Sequence, residues 1–109
     1  MPPLENVLVI NAILFGIGVM GVLTRRNAIL ILMSVEIMLS AVSLNMVAFA
    51  VYGKVHFISK GEPTFTGIIF AFFIIVIAAA EVALALGIVV RTFRNRATAN
   101  VDEINLLKW

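Results

Sequence analysis

The chain has 109 residues, of which 62% are hydrophobic and only 13% charged, and its formal net charge is +2. A soluble domain carries roughly 25% charged residues, so this chain has too little polar surface to fold as a water-soluble globule, and lipid must solvate most of it. It has no cysteine and one histidine, His56, which excludes disulfides, thiolate catalysis and cysteine-held iron–sulfur clusters and argues against a metal site.

Three apolar runs are each long enough to cross a hydrocarbon core of about 30 Å. They predict an all-α membrane protein, a single membrane domain over residues 1–109, with helices at about 4–23, 28–51 and 67–90 and a cytoplasmic tail at 91–109. The first run follows an N-terminus without a basic region, so we expect a retained span and not a cleaved signal peptide.

Helix ends are marked by turn and capping residues. Pro2, Pro3 and Glu5 favour the start of the first helix, and Asn27 is the expected N-cap of the second. Gly53, Gly61 and Pro63 predict a longer loop at 52–66, after which Thr64 or Thr66 would cap the third helix.

Basic residues predict the orientation of these helices, because cytoplasmic loops carry an excess of lysine and arginine. One side receives the first turn and the residues after the third run, which together contain Arg25, Arg26, Arg91, Arg94 and Arg96. The other side has only Lys54 and Lys60. We therefore expect the N-terminus outside and the C-terminus in the cytoplasm. The pI near 9.5 reflects this topology and predicts no nucleic-acid binding.

Two glutamates lie inside the apolar runs, Glu36 in the second and Glu81 in the third. A carboxylate at bilayer depth costs at least ~2.5–3.5 kcal/mol, so it is rarely placed there without a use. At 1.5 Å per residue, Glu36 lies roughly 12 Å and Glu81 about 13–14 Å from the cytoplasmic side. The matched depth favours proton or cation handling over the alternative, in which each glutamate pairs with a basic residue of a partner helix.

The second helix carries polar or small residues on two faces. Glu36, Ser40 and Ser43 form one stripe at helical spacing, and Ser34, Ala41 and Asn45 form another on nearly the opposite face. Protein neighbours are therefore expected on both sides. Ser34 and Asn45 are interpreted as helix-packing contacts, whereas for Ser40 and Ser43 a water-ordering role and a packing role stay open.

Small residues on the other two helices predict close helix contacts. In the third helix they surround Glu81 and are Ala78, Ala79, Ala80, Ala83, Ala85 and Gly87, and they would also leave room for water. Phe70, Phe72 and Phe73 are expected to face lipid or a partner. Gly16, Gly18 and Gly21 spell G-x-G-x-x-G, but inside an apolar span this indicates helix contact and not dinucleotide binding.

A carboxyl group passes a proton onward only to an acceptor at ~2.6–3.2 Å or through bridging water. Apart from Glu5 at the very start of the first span, no other ionisable residue lies within the three spans, so two glutamates at one level cannot form a path across the membrane. They are expected to form a lateral link that neighbouring subunits complete.

Three motifs in order resemble a known family: GVLTRRN at 21–27, SVEIML at 34–39 and AAAEVA at 78–83. With the tail VDEINLL at 101–107, the chain resembles the K subunit of proton-translocating NADH:quinone oxidoreductase (respiratory complex I), the four-L subunit of mitochondria. The loop at 52–66 is longer than the family pattern.

The resemblance implies a multi-pass subunit of an enzyme complex with no redox catalysis of its own. It implies Glu36 and Glu81 in the intramembrane proton relay coupled to quinone reduction, with Arg25 and Arg26 in a basic cytoplasmic turn that supports activity. Neighbours would be the A, J and antiporter-like N subunits and the lipid bilayer. FMN, iron–sulfur clusters and quinone would lie on other subunits, and this chain would hold no cofactor or metal. The expected location is the cell inner membrane, with a mitochondrial or thylakoid membrane less favoured.

Several other membrane proteins remain as alternatives. The C subunit of multisubunit sodium/proton antiporters has similar length but usually lacks both glutamates. Membrane-bound hydrogenases and ferredoxin-dependent complexes carry K-like subunits. A small multidrug exporter would need four spans with an acid in the first, and an ATP-synthase rotor subunit would have two spans and one acid. A structural membrane spacer would leave the matched glutamates unexplained.

Overall fold

A computed structural model describes residues 2–52, 65–96 and 101–103 of the chain. This part contains three α-helices, α1 (Leu4–Thr24), α2 (Ala28–Tyr52) and α3 (Thr66–Arg96), and a short 3-10 helix at Val101–Glu103. All three α-helices are long and apolar enough to cross a membrane. The prediction of an all-α protein with three membrane-spanning helices is therefore confirmed.

α1 and α2 begin as their capping residues predict. The carbonyl of Pro3 accepts the backbone N–H groups of Asn6 and Val7, and Glu5 lies in the first turn of α1. At the start of α2 the side-chain oxygen of Asn27 accepts the N–H of Ile29 at 2.9 Å. Asn27 is thus the cap of α2, which satisfies one of the amide groups that the first turn leaves without a partner.

α3 differs from the sequence prediction at both ends. It continues to Arg96, beyond the apolar run that ends at residue 90, because no glycine or proline interrupts this stretch and arginine is a good helix former. At its start, the carbonyl of Phe65 accepts the N–H of Ile69. Thr66 is therefore the first helical residue and not the cap, while Thr64 and the rest of the loop at 53–64 lie outside the described residues.

α2 lies between the other two helices, and α1 and α3 share no extensive contact in the described part of the chain. The contact between α1 and α2 is close because Gly18 and Gly21 lie against Ser34. Farther along the same interface, Asn11 donates from Nδ2 to Oδ1 of Asn45 at 2.7 Å, and Asn11 is only 3% exposed. The interface between α1 and α2 therefore consists of small residues at one point and of a hydrogen-bonded amide pair at another.

α3 packs on the opposite side of α2. Gly67 lies so close to α2 that an added methyl group would overlap the carbonyl of Met46 and approach the side chain of Ala50. Ala50, Ala71 and Ala78 are buried, with 3%, 3% and 7% of their surfaces exposed. The prediction that α2 has protein neighbours on both faces is confirmed. The phenylalanines at 70, 72 and 73 are between 56% and 65% exposed, as expected for a lipid- or partner-facing surface.

Candidate functional site

A cavity of about 440 Å³ opens between α2 and α3. Its lining consists of Glu36, Leu39, Ser40, Ser43, Leu44, Ile74, Ile75, Ala78 and Ala79. The cavity exists because two small residues of α3, Ala78 and Ala79, face the polar stripe of α2. We call it the Glu36 cavity.

Among the residues that the structure describes, Glu36 is the only acidic one that lines this cavity. Its Oε1 atom is buried and has no hydrogen-bond partner among the residues that the structure describes. A buried polar atom without a partner costs about 1–3 kcal/mol, and more when the group is charged. The Glu36 carboxyl therefore requires a further partner, which water in the cavity or a neighbouring subunit can supply.

Ser40 and Ser43 lie beside Glu36 and present different hydrogen-bonding groups. The Ser40 hydroxyl donates to the backbone carbonyl of Glu36 at 2.8 Å, so only its oxygen lone pairs remain for another bond. Ser43 is 8% exposed, and its hydroxyl has no bond within the described residues, which leaves both its donor and its acceptors for a molecule in the cavity. Near the carboxyl group, Ser40 can therefore only accept a hydrogen bond, whereas Ser43 can donate or accept one.

Glu81 lies on α3 at nearly the same level but does not line the cavity. The contact of Gly67 with Met46 and Ala50 fixes the antiparallel register and places Ala79 opposite Glu36. Glu81, two residues farther on, is therefore displaced by about 3 Å along the helix axis. Its side chain is exposed on the outer surface of the chain. The two carboxyl groups share a level but open onto different faces.

The small residues near Glu81 lie on several faces of α3. Ala78 is buried against α2, whereas Ala80 and Ala83 are exposed and, at one and two residues from Glu81, point away from its carboxyl group. At Gly87 an added methyl group would meet no atom within 4 Å. The residues that share the side of Glu81 at helical spacing are Ile77, Leu84 and Ile88, which are between 53% and 69% exposed. We call this exposed apolar surface, with its one carboxyl group, the Glu81 face.

The two arginines of the first turn lie apart from both glutamates. The Nε atom of Arg26 is 3.3 Å from Oδ2 of Asp102, and these side chains are 80% and 61% exposed. Arg25 instead lines a groove of about 520 Å³ between α1 and α2, together with Thr24 and Ser34. The structure therefore does not bring Arg25 or Arg26 into contact with the Glu36 cavity.

Some contacts were not predicted from the sequence. Asn45 was expected to pack, but its partner Asn11 was not identified, although an amide inside the first apolar run was a signal. The ion pair of Asp102 with Arg26 could not be predicted from helical periodicity. Helix contact was expected for Gly16, yet an added methyl group there would meet no atom within 4 Å, so this glycine takes no part in the α1–α2 contact.

Comparison with known proteins decides the family. The family model for NADH-ubiquinone/plastoquinone oxidoreductase chain 4L matches residues 6–109. This chain belongs to the chain 4L family. NADH-quinone oxidoreductase subunit K 1 of Koribacter versatilis is 51% identical over 102 residues, which cover 94% of this chain and 91% of the relative. Subunit K of Acidobacterium capsulatum is 48% identical over 108 residues, or 99% of each chain.

A third relative extends the similarity over the whole chain. NADH-quinone oxidoreductase subunit K 1 of Geotalea daltonii is 46% identical over 109 residues and 100% of both chains. The identification of the chain as a member of the K or four-L family is therefore confirmed. The basic turn and both glutamates lie within the matched residues 6–109, and so do the three membrane-spanning helices except for the first two residues of α1.

Proposed function

We propose that this chain is a membrane-arm subunit of NADH:quinone oxidoreductase in which Glu36 and Glu81 carry protons laterally between neighbouring subunits. Family membership supports the assignment to the complex. The observation that carries the relay is the buried, unpartnered Oε1 of Glu36 at the edge of a cavity. A carboxyl group kept at such a cost inside a membrane helix points to a function that needs it.

Water in the Glu36 cavity is the proposed route to and from this carboxyl. Proton transfer needs an acceptor at about 2.6–3.2 Å or a bridging water, and no described side chain is bonded to Oε1. The cavity volume of about 440 Å³ is ample, since one water occupies roughly 30 Å³ in the liquid. Ser40 accepts a hydrogen bond from such a water, and Ser43 either donates or accepts.

Glu81 is proposed to exchange its proton with a partner subunit at the Glu81 face. Because the Glu81 side chain is exposed, a partner helix can place a titratable group or an ordered water beside the carboxyl. The similar level of Glu36 and Glu81 makes the path run in the plane of the membrane. Apart from Glu36 and Glu81, the described helices have no charged residue between Leu8 and Leu23 of α1, in α2, or between Gly67 and Val90 of α3. Neighbouring subunits must therefore extend the path.

The remaining assignments follow from this role. We propose that the N-terminus faces outward, that the turn with Arg25 and Arg26 and the C-terminal end face the cytoplasm, and that the protein resides in the cell inner membrane. The proposed neighbours are the A, J and antiporter-like N subunits. Electron transfer through FMN, iron–sulfur clusters and quinone is assigned to other subunits; for the clusters, this chain has no cysteine to hold one.

Replacement of each glutamate by glutamine in the complete complex tests the relay. Glutamine keeps the size and polarity of the side chain but cannot carry the proton. We expect Glu36→Gln and Glu81→Gln each to leave the complex assembled and to lower proton pumping in membranes at least about tenfold, as the loss of an acid–base group does. Quinone reduction should fall with pumping if the two processes are tightly coupled.

The matched control is Glu5→Gln, which removes an exposed acid in the first turn of α1, outside the proposed relay. It should pump like the wild type. Wild-type pumping by both Glu36→Gln and Glu81→Gln in an assembled complex would contradict the proposal.

A further inference from the structure

The C-terminal segment contacts the turn between α1 and α2 at two points. The backbone N–H of Val101 donates to the carbonyl of Arg26 at 3.1 Å. The next residue, Asp102, places its carboxylate 3.3 Å from the Arg26 guanidinium. The first contact is between backbone groups and the second is between charged side chains. The second contact therefore depends on the identity of the residue at position 102.

These contacts tether the end of α3. Only residues 97–100 separate Arg96, the last residue of α3, from Val101. Five residue steps span at most about 18 Å even in a fully extended chain. As long as Val101 and Asp102 stay on the turn, the end of α3 cannot move farther than this from Val101, which is itself hydrogen-bonded to Arg26.

The tether acts where α3 is otherwise least supported. Gly67 holds the opposite end of α3 tightly against α2. The Glu36 cavity follows along α3, where its lining ends at Ala79; from Ala79 to Asn95 no residue of α3 is buried, and α1 makes no extensive contact with α3 among the described residues. The separation of α2 and α3 beside Glu36 therefore depends on what restrains the far end of α3.

We propose that Val101 and Asp102 form a clasp with Arg26 that holds the end of α3 beside α2 and so sets the width of the Glu36 cavity. This inference rests on the proposed relay for its functional consequence. Arg26 is then a positioning residue. It precedes Glu36 by ten residues, roughly 15 Å along the chain direction of a helix, and acts on the cavity through α3.

The clasp gives the two adjacent arginines different functions. Arg26 is paired with Asp102, whereas the side chain of Arg25 lines the groove between α1 and α2 and has no ion pair within residues 2–52, 65–96 and 101–103. Removal of the charge of Arg25 should not release the tail. Arg25→Gln is therefore the matched control for Arg26→Gln.

Hydrogen exchange in the intact, solubilised complex tests the clasp directly. The peptide containing the Val101 amide should exchange up to about fivefold faster in Arg26→Gln and in Asp102→Asn, which is the most that an exposed ion pair contributes. The exchanged-charge variant, Arg26→Asp with Asp102→Arg, should return toward the wild-type rate, and Arg25→Gln should stay at it. Unchanged exchange in both single variants, or equal acceleration in Arg25→Gln, would overturn the clasp.

The ratio of protons pumped to NADH oxidised tests the positioning role. Both single variants should lower this ratio, and the exchanged-charge variant should restore it. If exchange accelerates while the ratio stays at the wild-type value, the clasp does not position α3. If Glu36→Gln pumps normally, the relay is wrong, but the exchange rates of the tail still decide whether the clasp exists.

Discussion

An alanine at Gly18 should weaken the contact between α1 and α2. The added Cβ atom would lie 2.5 Å from the Cγ atom of Met38 and 2.9 Å from the backbone carbonyl oxygen of Ser34. The Met38 side chain can rotate away. The Ser34 carbonyl belongs to the backbone of α2 and can move only with the helix.

The magnitude follows from this geometry. Ordinary contact begins at 3.4 Å, so the two helices must separate by about 0.5 Å near Ser34. Overpacking of this kind costs about 1–3 kcal/mol, while alanine gains about 0.5–1 kcal/mol over glycine inside a helix. We expect a net loss of about 0.5–2 kcal/mol of stability for Gly18→Ala.

The assay is the temperature at which the detergent-solubilised complex loses NADH:quinone reductase activity, together with the amount of assembled complex. Gly16→Ala is the control, because an added methyl group there meets no atom of the chain within 4 Å. Gly18→Ala should lower the inactivation temperature and Gly16→Ala should not. A Gly18→Ala complex as stable as the wild type, or an equal loss in both variants, would refute the reasoning.

Three further predictions concern the amide pair, the cavity and the helix cap. Asn11→Leu and Asn45→Leu should each cost about 1–3 kcal/mol by leaving one amide without its partner, and the double variant should lose less than the sum, measured by the same thermal inactivation. Ala78→Leu should fill space beside Glu36 and lower proton pumping in an assembled complex, whereas Ala78→Ser, which adds no bulky group, should retain it. Asn27→Ala should cost about 1 kcal/mol through loss of the α2 cap, and Asn27→Ser should recover most of the assembled complex lost.

The two faces of α2 could be predicted because helical spacing alone decides which residues share a face. The levels of Glu36 and Glu81 could be estimated because the rise per residue is constant. Spacing does not fix how each helix is rotated toward its neighbours. For that reason the sequence could not show that Glu36 faces a cavity while Glu81 faces outward.

Contacts between distant parts of the chain also could not be predicted from the helical periodicity of the sequence. The pairing of Asn11 with Asn45 depends on the offset between two antiparallel helices, which the close approach at Gly18 and Gly21 determines. The contact of Asp102 with Arg26 depends on the path of the chain after α3. Neither the amphipathic pattern nor the length of the apolar runs contains this information.

The short turn between α1 and α2 has a consequence for biogenesis. Because only residues 25–27 separate these helices, they can meet as a hairpin as soon as both have entered the bilayer, and Asn11 and Asn45 then satisfy one another. The hairpin provides no such partner for Glu36. Glu81 enters the membrane later, with α3, and its side chain lies on the outer surface of the chain. A newly inserted chain without its complex therefore has one buried carboxyl group without a hydrogen-bond partner, that of Glu36, and one that faces lipid, that of Glu81. We expect such an orphan chain to be recognised and degraded by membrane proteases, so that the groups proposed to move protons also make the chain's survival depend on assembly.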